Sequence, residues 1–367
     1  MRLISKVINI YQREGVSSVL KKARFRIGYY GYRAFNSNKK EEERWNALKG
    51  KFKGKRAYLL GNGPSLNKTP LYLLKDEYVL CFNRFYLYNE RLNFSPNFFA
   101  CVDNLVLKDL VDEIPQIANY FDLLFFPDRH FRKTNFRNLI GNDEKHYWLA
   151  PVFGRGFSKN LPKVNQGGSV IYEGMQILDF LGFDEIIILG VDMNFKIHET
   201  AEQIASSKET DIKSKEDDDP NHFDPRYFGK NRSYHQPEKF VIDNIVSSLD
   251  FLGSNLELFN LKIVNCGFDS KIESFPKEDF YSKIGYSDER IKGLFEDLLV
   301  EKSGHSIDEF ESIHRNLEGL ELPANFNESF FLGVDEGVKL IPKLIHEFLP
   351  LGPWNNKYYF IKRNSKQ

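Results

Sequence analysis

An apolar run that leads directly into a glycine-rich turn constrains the fold more than any other feature of the chain. Residues 56–66 read Arg-Ala-Tyr-Leu-Leu-Gly-Asn-Gly-Pro-Ser-Leu. We expect a strand followed by a turn in which Gly61 and Gly63 adopt positive φ or allow close backbone approach. Ser65 can cap the next helix, whose exposed N–H groups favour an anion. The turn thus predicts a phosphate site, although it is neither G-x-G-x-x-G nor Walker A and can serve only to turn the chain.

Strand-like runs recur after this turn and alternate with helical patterns or loops. Such alternation predicts an α/β, Rossmann-like fold, with a mostly parallel sheet and helices on both faces. The predicted strands are 57–60, 78–82, 97–102, 122–126, 185–190 and 262–265.

A second glycine-led turn precedes the clearest helical pattern. Gly168 and Ser169 come before an apolar helix that ends at Gly182, and Ser169 is expected to cap it. The next strand ends at Asp192, which places a carboxylate at a strand end, where ligands collect in open α/β sheets. Two glycine-led helix starts in one sheet could flank one ligand.

Composition excludes several classes of protein. The 367 residues include 51 basic and 51 acidic ones, so net charge makes no case for nucleic-acid binding. Cys81, Cys101 and Cys266 are far apart, which indicates neither a zinc site nor a disulfide framework and favours a reducing cytoplasm. No apolar run approaches the roughly 18 residues that a membrane span needs.

The two ends differ in composition from the predicted catalytic domain at 51–285. Residues 1–50 form a basic amphipathic helical segment, with eight basic residues and the single acid Glu14 among the first 35. Residues 286–367 predict a helical extension, with helices at 289–301, 307–318 and 335–348, and a basic-aromatic tail. These ends are expected either to contact the inner face of the cytoplasmic membrane, or to pack on the domain or on a second subunit in a homo-oligomer.

A long polar stretch at 196–234 predicts a lid over the site. It contains four consecutive acids, Glu216 to Asp219, which could bind Mg²⁺ on a diphosphate or form solvated charge on a mobile loop. The Asn-His-Phe-Asp-Pro sequence around His222, followed by Tyr227, suits an ordered turn that covers a ligand.

Three segments together resemble bacterial sialyltransferases of glycosyltransferase family 42, and also the MptE-like group named after 6-hydroxymethylpterin diphosphokinase. The resemblance spans roughly residues 55–280. It implies a Rossmann-like domain with a flexible lid that transfers sialic acid from CMP-sialic acid with inversion. The segments that carry it are Gly61-Asn62-Gly63-Pro64-Ser65-Leu66, Cys81-Phe82-Asn83-Arg84-Phe85-Tyr86 and residues 168–192.

The resemblance implies roles for individual residues in donor binding. Asn62 and Asn83 match asparagines that contact the donor nucleotide, and Gly168 and Ser169 match a turn that lines the same pocket. Where the sialyltransferase pattern has an asparagine after the third strand, this chain has Asp103-Asn104. An acid at this position would repel a donor carboxylate, so sialic acid is only one candidate among nucleotide-linked sugars.

The resemblance also implies a histidine base and tyrosines that hydrogen-bond the leaving phosphate. His235 occupies the place of the family's base, and His222 is its local rival. An imidazole suits this task because it titrates near neutrality. No tyrosine follows Asp192 closely, so Tyr227 or Tyr234 would have to assist the leaving group.

Three functions remain open at this point. The first is a glycosyltransferase that moves a sugar from a nucleotide-sugar donor, CMP-linked by preference, to a glycan or lipid-linked acceptor of the cell surface. The second is an MptE-like diphosphokinase that transfers pyrophosphate from ATP to a pterin alcohol with Mg²⁺. The third is a nucleotide-binding scaffold in polysaccharide assembly that has no turnover.

Overall fold

The computed structural model describes residues 39–129, 134–152, 156–196, 200–204, 211–235, 239–319, 322 and 326–363, with isolated positions at 16, 19, 20, 23 and 24. The chain divides into two compact units. The smaller comprises Met1–Lys49 and Phe131–Thr134, and its described helix is α1 (Lys39–Leu48). Most of the basic N-terminal segment lies outside the described residues, so the prediction of an amphipathic helix there remains a prediction.

The larger unit, Gly50–His130 with Asn135–Gln367, contains the sheets. Within its described residues the strands are β1 (Arg56–Leu60), β2 (Tyr78–Phe82), β3 (Phe98–Ala100), β4 (Leu123–Pro127), β5 (His146–Val152), β6 (Lys163–Asn165), β7 (Glu185–Leu189), β8 (Glu202–Gln203), β9 (Asp211–Lys213), β10 (Ser233–His235), β11 (Ile263–Asn265), β12 (Arg315–Asn316), β13 (Phe330–Gly333), β14 (Phe348–Trp354) and β15 (Lys357–Lys362).

The described α-helices of the larger unit connect these strands. They are α2 (Asn104–Leu110), α3 (Ile114–Ile117), α4 (Phe136–Ile140), α5 (Val170–Leu181), α6 (Lys239–Gly253), α7 (Leu256–Phe259), α8 (Phe280–Ile284), α9 (Asp288–Ser303), α10 (Ile307–Ile313) and α11 (Val334–Leu344). Short 3₁₀ helices follow β1 and β2 at Pro64–Lys68, Leu71–Leu74 and Phe85–Arg91, and a fourth lies at Ala118–Tyr120.

The main sheet of the described residues has eight parallel strands in the order β11-β7-β1-β2-β3-β4-β5-β6. Strands β1, β2, β4 and β7 each begin with one half-buried residue and continue with four buried ones. Continuous burial is typical of parallel strands that are covered on both faces. The predicted Rossmann-like α/β fold is confirmed, and all six predicted strands are present.

The sequence reading did not foresee strands β5 and β6 or the sheet at the C-terminus. β12 to β15 form a four-stranded sheet in the order β12-β13-β15-β14, so the segment 286–367 is not only helical. The aromatic tail belongs to this sheet. Tyr358, Tyr359 and Phe360 are fully buried, because β15 is the inner strand between β13 and β14. These aromatic side chains therefore pack in the protein interior and cannot anchor it to a membrane surface.

Part of the C-terminal segment shares one core with the main sheet. Leu298 and Phe310 of α9 and α10 and Tyr359 of β15 join the hydrophobic cluster that contains Tyr58 and Leu60 of β1. The predicted C-terminal extension is thus integral to the larger unit. Among the described residues, no helix combines the length and the apolar character needed to cross a membrane.

The predicted lid segment contains regular structure. Strands β8, β9 and β10 form a small antiparallel sheet within it, and the stretch from Asp219 to Phe228 packs on the main domain. Phe223 and Tyr227 in this stretch are 1% exposed. We call residues 219–228 the wall segment, because they line one side of the cavity described below.

Candidate functional site

The candidate site lies where the strand order of the main sheet reverses. The chain passes from β1 to β2 on one side, whereas β7 pairs with the other side of β1. The segments that leave β1 and β7 stay together, since Gly61 N donates to Leu189 O at 2.7 Å and Gly63 N to Gly190 O at 2.8 Å. In open α/β sheets, the crevice outside the carboxyl ends of strands at such a switch point binds ligands.

The glycines of the first turn are required by close packing. A Cβ on Gly61 would overlap the carbonyl oxygen of Gly190, and one on Gly63 would lie 2.5 Å from Oδ2 of Asp192. Neither glycine has positive φ, so that expectation is wrong, whereas the expected close approach is confirmed. The two glycines bring the turn after β1 against the segment that follows β7.

Ser65 secures this contact from beneath the cavity. Its amide N donates to Asp192 Oδ2 at 2.9 Å, and its hydroxyl donates to Oδ1. The prediction that Ser65 caps a helix is wrong, because it lies inside a 3₁₀ helix whose N-cap is Gly63. Burial raises the pKa of Asp192, although the Ser65 donors and nearby His222 favour the ionised carboxylate.

The second turn lies across the crevice at the start of α5. Ser169 is the N-cap, and its hydroxyl accepts from Ile171 N at 3.4 Å; Gly182 ends the helix with φ of 93°. Gly168 has φ of 85°, and a Cβ there would lie 2.5 Å from Nδ2 of Asn244. Both predicted ends of this helix are confirmed. Because the first turn of a helix presents N–H groups and a partial positive charge, this end suits an anion.

Asn62, Asn83 and Tyr227 form a polar cluster on the floor of the crevice. Asn62 Nδ2 donates to Phe82 O at 3.2 Å and to the Tyr227 hydroxyl at 3.1 Å, and Asn83 lines the same cavity. Among the described residues, Oδ1 of Asn62 and Oδ1 of Asn83 are buried and have no hydrogen-bond partner. Unpaired buried acceptors are costly, so they indicate that a ligand donates to them.

The two tyrosines expected to assist the leaving group remain protonated at neutral pH. Burial raises the pKa of Tyr234 to about 12 and raises that of Tyr227 further. Since the oxygen of Tyr227 already accepts from the amide of Asn62, its O–H is left to donate to another group. Both phenols can therefore donate hydrogen bonds to an anionic ligand.

His222 lies in the wall segment, and two neighbouring groups orient its ring. Its Nδ1 is 2.7 Å from Oδ2 of Asp219, whose carboxylate is buried and also accepts from Asn221 N at 2.8 Å and Phe228 N at 3.0 Å. The imidazole stacks on Tyr227 with ring centroids 3.8 Å apart and planes 3° from parallel. A carboxylate and an aromatic face together hold the ring in one orientation.

A buried ion pair holds the wall segment on the domain. Phe223 N donates to Asn62 O at 2.9 Å. Arg91 Nη2 lies 3.1 Å from Asp224 Oδ2, and the side chains of Arg91 and Asp224 are both fully buried. Arg226 donates to the same carboxylate at 2.7 Å and to Glu90 at 2.8 Å. The wall segment, which contains His222, is therefore fixed to the domain by buried contacts.

These elements enclose a cavity of about 270 Å³. Its volume is close to the lower end of the about 300–1,000 Å³ typical of small-molecule sites. Asp103 reaches it as the N-cap of α2, accepting from Leu105 N and Val106 N. The predicted site residues that line the cavity are Gly61, Asn62, Gly63, Asn83, Asp103, Gly168, Ser169, Asp192, His222, Tyr227 and Tyr234.

Two further predicted residues, Ser65 and His235, need separate description. Ser65 is buried beneath it and acts through Asp192. His235, the base implied by the resemblance, ends β10, where its backbone pairs with Asp211; its side chain lies outside the described residues. Its role as a base therefore stays a prediction.

The acidic run is engaged by protein groups. Asp217 accepts from Lys230 N at 2.8 Å, Asp218 accepts from the Thr200 hydroxyl at 2.9 Å, and Asp219 binds His222. Within the described part of the chain, no three His, Cys, Asp or Glu side chains are arranged to hold a metal ion. The Mg²⁺ alternative for this run stays a prediction.

Residues 32–198 match the protein family described as 6-hydroxymethylpterin diphosphokinase MptE-like. The match confirms the resemblance to the MptE-like group. It covers both glycine-led turns and Asp192 but ends before the wall segment. No curated protein sequence matches the chain.

Solved structures with a similar fold are distant. The MAf glycosyltransferase from Magnetospirillum magneticum is 15% identical with a TM-score of 0.36, over 65% of this chain and 38% of that one. The sialyltransferase CstII from Campylobacter jejuni, in complex with cytidine-5'-monophosphate, is 13% identical with a TM-score of 0.35, over 61% of this chain and 85% of that one. The chain thus spans less than half the length of the MAf protein.

Sequence reasoning missed the function of Asp219 as the partner of His222. The sequence does contain a pattern that indicates this pairing. Asp219 precedes His222 by three residues with Pro220 between them, and turn residues at this spacing hydrogen-bond to each other. Asn221 and Phe228, which belong to the stretch expected to cover a ligand, also line the cavity. Their neighbours in the cavity, such as Ile245 of α6, come from elements far away in the sequence.

Proposed function

We propose that the chain is a nucleotide-sugar-dependent glycosyltransferase. The observation that carries the proposal is the cavity at the switch point, where two glycine-led turns face each other and the polar cluster presents unpaired amide oxygens. The helix start at Ser169 suits a phosphate, and Oδ1 of Asn62 and Asn83 suit amino or hydroxyl donors of a nucleoside. The MptE-like match over the same turns supports a nucleotide ligand.

The proposed reaction is an inverting transfer from a CMP-linked sugar to a hydroxyl of a glycan or lipid-linked acceptor. Gly61, Asn62, Gly63 and Asn83 hold the nucleotide together with Gly168 and Ser169. The protonated phenols of Tyr227 and Tyr234 donate to the departing phosphate. A histidine takes the acceptor proton, and the resemblance implies His235, which directly follows the lid segment, for this task.

Calorimetric titration of the purified chain with CMP, CDP, UDP, GDP and ATP, each with and without Mg²⁺, tests the proposal. We expect selective binding of CMP that does not need the metal. Preference for ATP with Mg²⁺ would replace the proposal with the diphosphokinase, and binding of none of the nucleotides would refute it. Nucleotide binding without any sugar transfer would favour the scaffold function.

Membrane contact is proposed only for the N-terminal basic segment, because the aromatic residues of β15 are buried. Co-sedimentation with vesicles that contain anionic lipid should weaken when Lys21, Lys22 and Arg24 are replaced by Gln, since juxtamembrane basic residues contribute about 1 kcal/mol each. Equal binding to neutral and anionic vesicles would contradict this contact.

A further inference from the structure

We infer that His222, held by Asp219, is the general base of the proposed transfer. The inference rests on the proposed function and assigns the proton-accepting atom within that site. It departs from the resemblance, which implies His235. The geometry that carries it is the buried Asp219 carboxylate, the stacked Tyr227 ring and the exposure of His222 to the cavity that holds the two glycine-led turns.

The carboxylate of Asp219 selects the tautomer of the imidazole. An ionised carboxylate can only accept a hydrogen bond, so the nitrogen that faces it at 2.7 Å, Nδ1, must carry the hydrogen. In the neutral ring the lone pair then lies on Nε2. Two backbone N–H groups, from Asn221 and Phe228, donate to Asp219 and favour its ionised form. When the ring is neutral, the wall segment thus leaves Nε2 as the nitrogen that can accept a proton.

Such a base completes the proposed reaction with balanced charge. The acceptor oxygen forms a bond to the anomeric carbon while its proton passes to Nε2 of His222, which becomes imidazolium. The bond between the anomeric carbon and the phosphate oxygen breaks, and its electron pair leaves with the nucleotide. Asp219 stabilises the imidazolium, and the proton then passes to water to restore the base.

The orientation of the ring depends on the wall segment as a whole. The ion pair of Arg91 with Asp224 fixes the segment on the core, and Phe223 N binds the carbonyl of Asn62, a residue of the first glycine-led turn. The base and the proposed nucleotide-binding turn are therefore held by one set of contacts. Asp219 acts as a positioning residue, because it works through the imidazole.

A local structural role is the competing explanation for the pair of Asp219 and His222. Residues at this spacing also stabilise turns, and Asp219 does bind two backbone N–H groups of its own segment. Chemical rescue separates the two roles. Free imidazole can replace a missing base, but it cannot restore a turn.

The test uses the full chain, CMP as the binding probe and CMP-linked sialic acid as the turnover probe, with release of CMP as the signal. We expect His222→Ala to lose about 10²–10⁴-fold in turnover with unchanged CMP affinity, and free imidazole to restore part of the loss. His222→Gln, which keeps a planar polar side chain, should lose as much turnover.

The exposed His346 provides a matched control, since it lies 3.5 Å from Asp217 of the same acidic run. His346→Ala should leave turnover unchanged. Near-normal turnover in His222→Ala, or loss and imidazole rescue in His235→Ala instead, would overturn the inference while the proposed function stands. Failure of the wild type to bind CMP would refute the proposed function, and the inference with it.

The tautomer of His222 can be measured directly. Nitrogen NMR of the wild type should show His222 protonated at Nδ1 and should shift on CMP addition; an Nε2-protonated ring would overturn the inference.

Discussion

At Gly63 the lack of a side chain allows the turn after β1 to lie against the carboxylate of Asp192. That carboxylate is only 6% exposed and accepts from both the amide and the hydroxyl of Ser65. A glycine, a serine and an aspartate from two strand ends thus shape one side of the cavity. Gly63 leaves the space, Ser65 donates the hydrogen bonds and Asp192 accepts them.

Gly63→Ala should destabilise the chain and weaken CMP binding together. The new Cβ would lie 2.5 Å from Asp192 Oδ2, and the carboxylate cannot move without losing the Ser65 bonds. Overpacking of this kind costs about 1–3 kcal/mol, measured as the free energy of unfolding in urea. The matched control is Gly293→Ala at an exposed position of α9, where nothing lies within 4 Å; it should gain about 0.5–1 kcal/mol. A destabilised Gly293→Ala, or a silent Gly63→Ala, would contradict this account.

Glu173 in α5 predicts a pH-dependent stability that is separate from catalysis. Burial raises the pKa of this carboxyl from 4.5 to about 8, and the nearby charge of Asp103 adds to the rise. Between these values the folded state binds the proton and the unfolded state does not. Stability should therefore fall as pH rises from about 4.5 to about 8, by up to about 1.4 kcal/mol per pH unit.

Glu173→Gln should remove this dependence. Its free energy of unfolding should match the wild type near pH 4.5 and exceed it increasingly toward pH 8, because the amide never ionises. Urea denaturation at several pH values measures the difference. Glu257→Gln on the exposed side of α7 is the control and should follow the wild type. Parallel curves for Glu173→Gln and the wild type would show that the carboxyl is already ionised in the fold.

At the scale of elements, the wall segment behaves as part of the domain because its contacts are buried. Phe223 packs on Phe85 and Tyr88, with ring centroids 5.8 Å and 5.2 Å apart, and Asn67 Nδ2 donates to its carbonyl at 2.8 Å. Although burial opposes it, the guanidinium groups of Arg226 and Arg91 hold the pKa of Asp224 below its usual range.

Asp224→Ala should loosen the wall segment and expose the site. It leaves the buried charge of Arg91 without its partner, which costs about 3–5 kcal/mol. Limited proteolysis should then cut within 211–235, and CMP affinity should fall. The exposed pair of Lys230 and Glu216 is the matched control, and Glu216→Gln should change stability by less than about 1 kcal/mol. Protease resistance equal to the wild type in Asp224→Ala would show that this ion pair does not hold the segment.

The pKa of Asp224 in the folded state also sets the pH below which the wall segment loses the stabilisation that this ion pair provides. Because this pKa is lowered, the stabilisation is present above the ordinary pKa of an aspartate and is lost as the pH falls through the lowered value. Acidification of the wild type should therefore produce the same proteolytic pattern as Asp224→Ala.

At the scale of the whole molecule, the larger unit should unfold as one cooperative body. β15 supplies Tyr359, which is fully buried and packs against Phe295 and Phe331. Arg363 donates to both oxygens of Glu90, at 3.0 Å and 2.7 Å, and Glu90 also binds Arg226 of the wall segment. The C-terminal sheet is thus linked through Glu90 to the wall of the site.

Tyr359→Ala should destabilise the entire unit by about 3–5 kcal/mol and lower the midpoint of a single unfolding transition. Tryptophan fluorescence and far-UV circular dichroism should report the same midpoint. Ile313→Ala at an exposed position of α10 should be nearly neutral. A separate early transition in Tyr359→Ala would show that the C-terminal sheet folds independently of the parallel sheet.

Local patterns were enough to predict six of the eight strands of the parallel sheet and, together with the family resemblance, half of the residues that line the cavity. The strands read as apolar runs, and glycine, serine and asparagine at strand ends have few structural alternatives. Ser169 and Gly182 marked both ends of α5 because capping depends on neighbours within a few residues. The role of Ser65 could not be predicted from its neighbours in the sequence, because its partner Asp192 lies 127 positions away.

The sequence by itself determined the α/β class, the two glycine-led turns and the strand-end polar residues, because these follow from short-range periodicity and backbone sterics. Only the tertiary structure decided that β1 lies between β2 and β7, that the wall segment is buried and that Asp219 orients His222. It also decided that the aromatic tail is an inner strand and not a surface anchor. Such outcomes depend on contacts between distant segments, and their free energy comes from burial and charge pairing that no local pattern records.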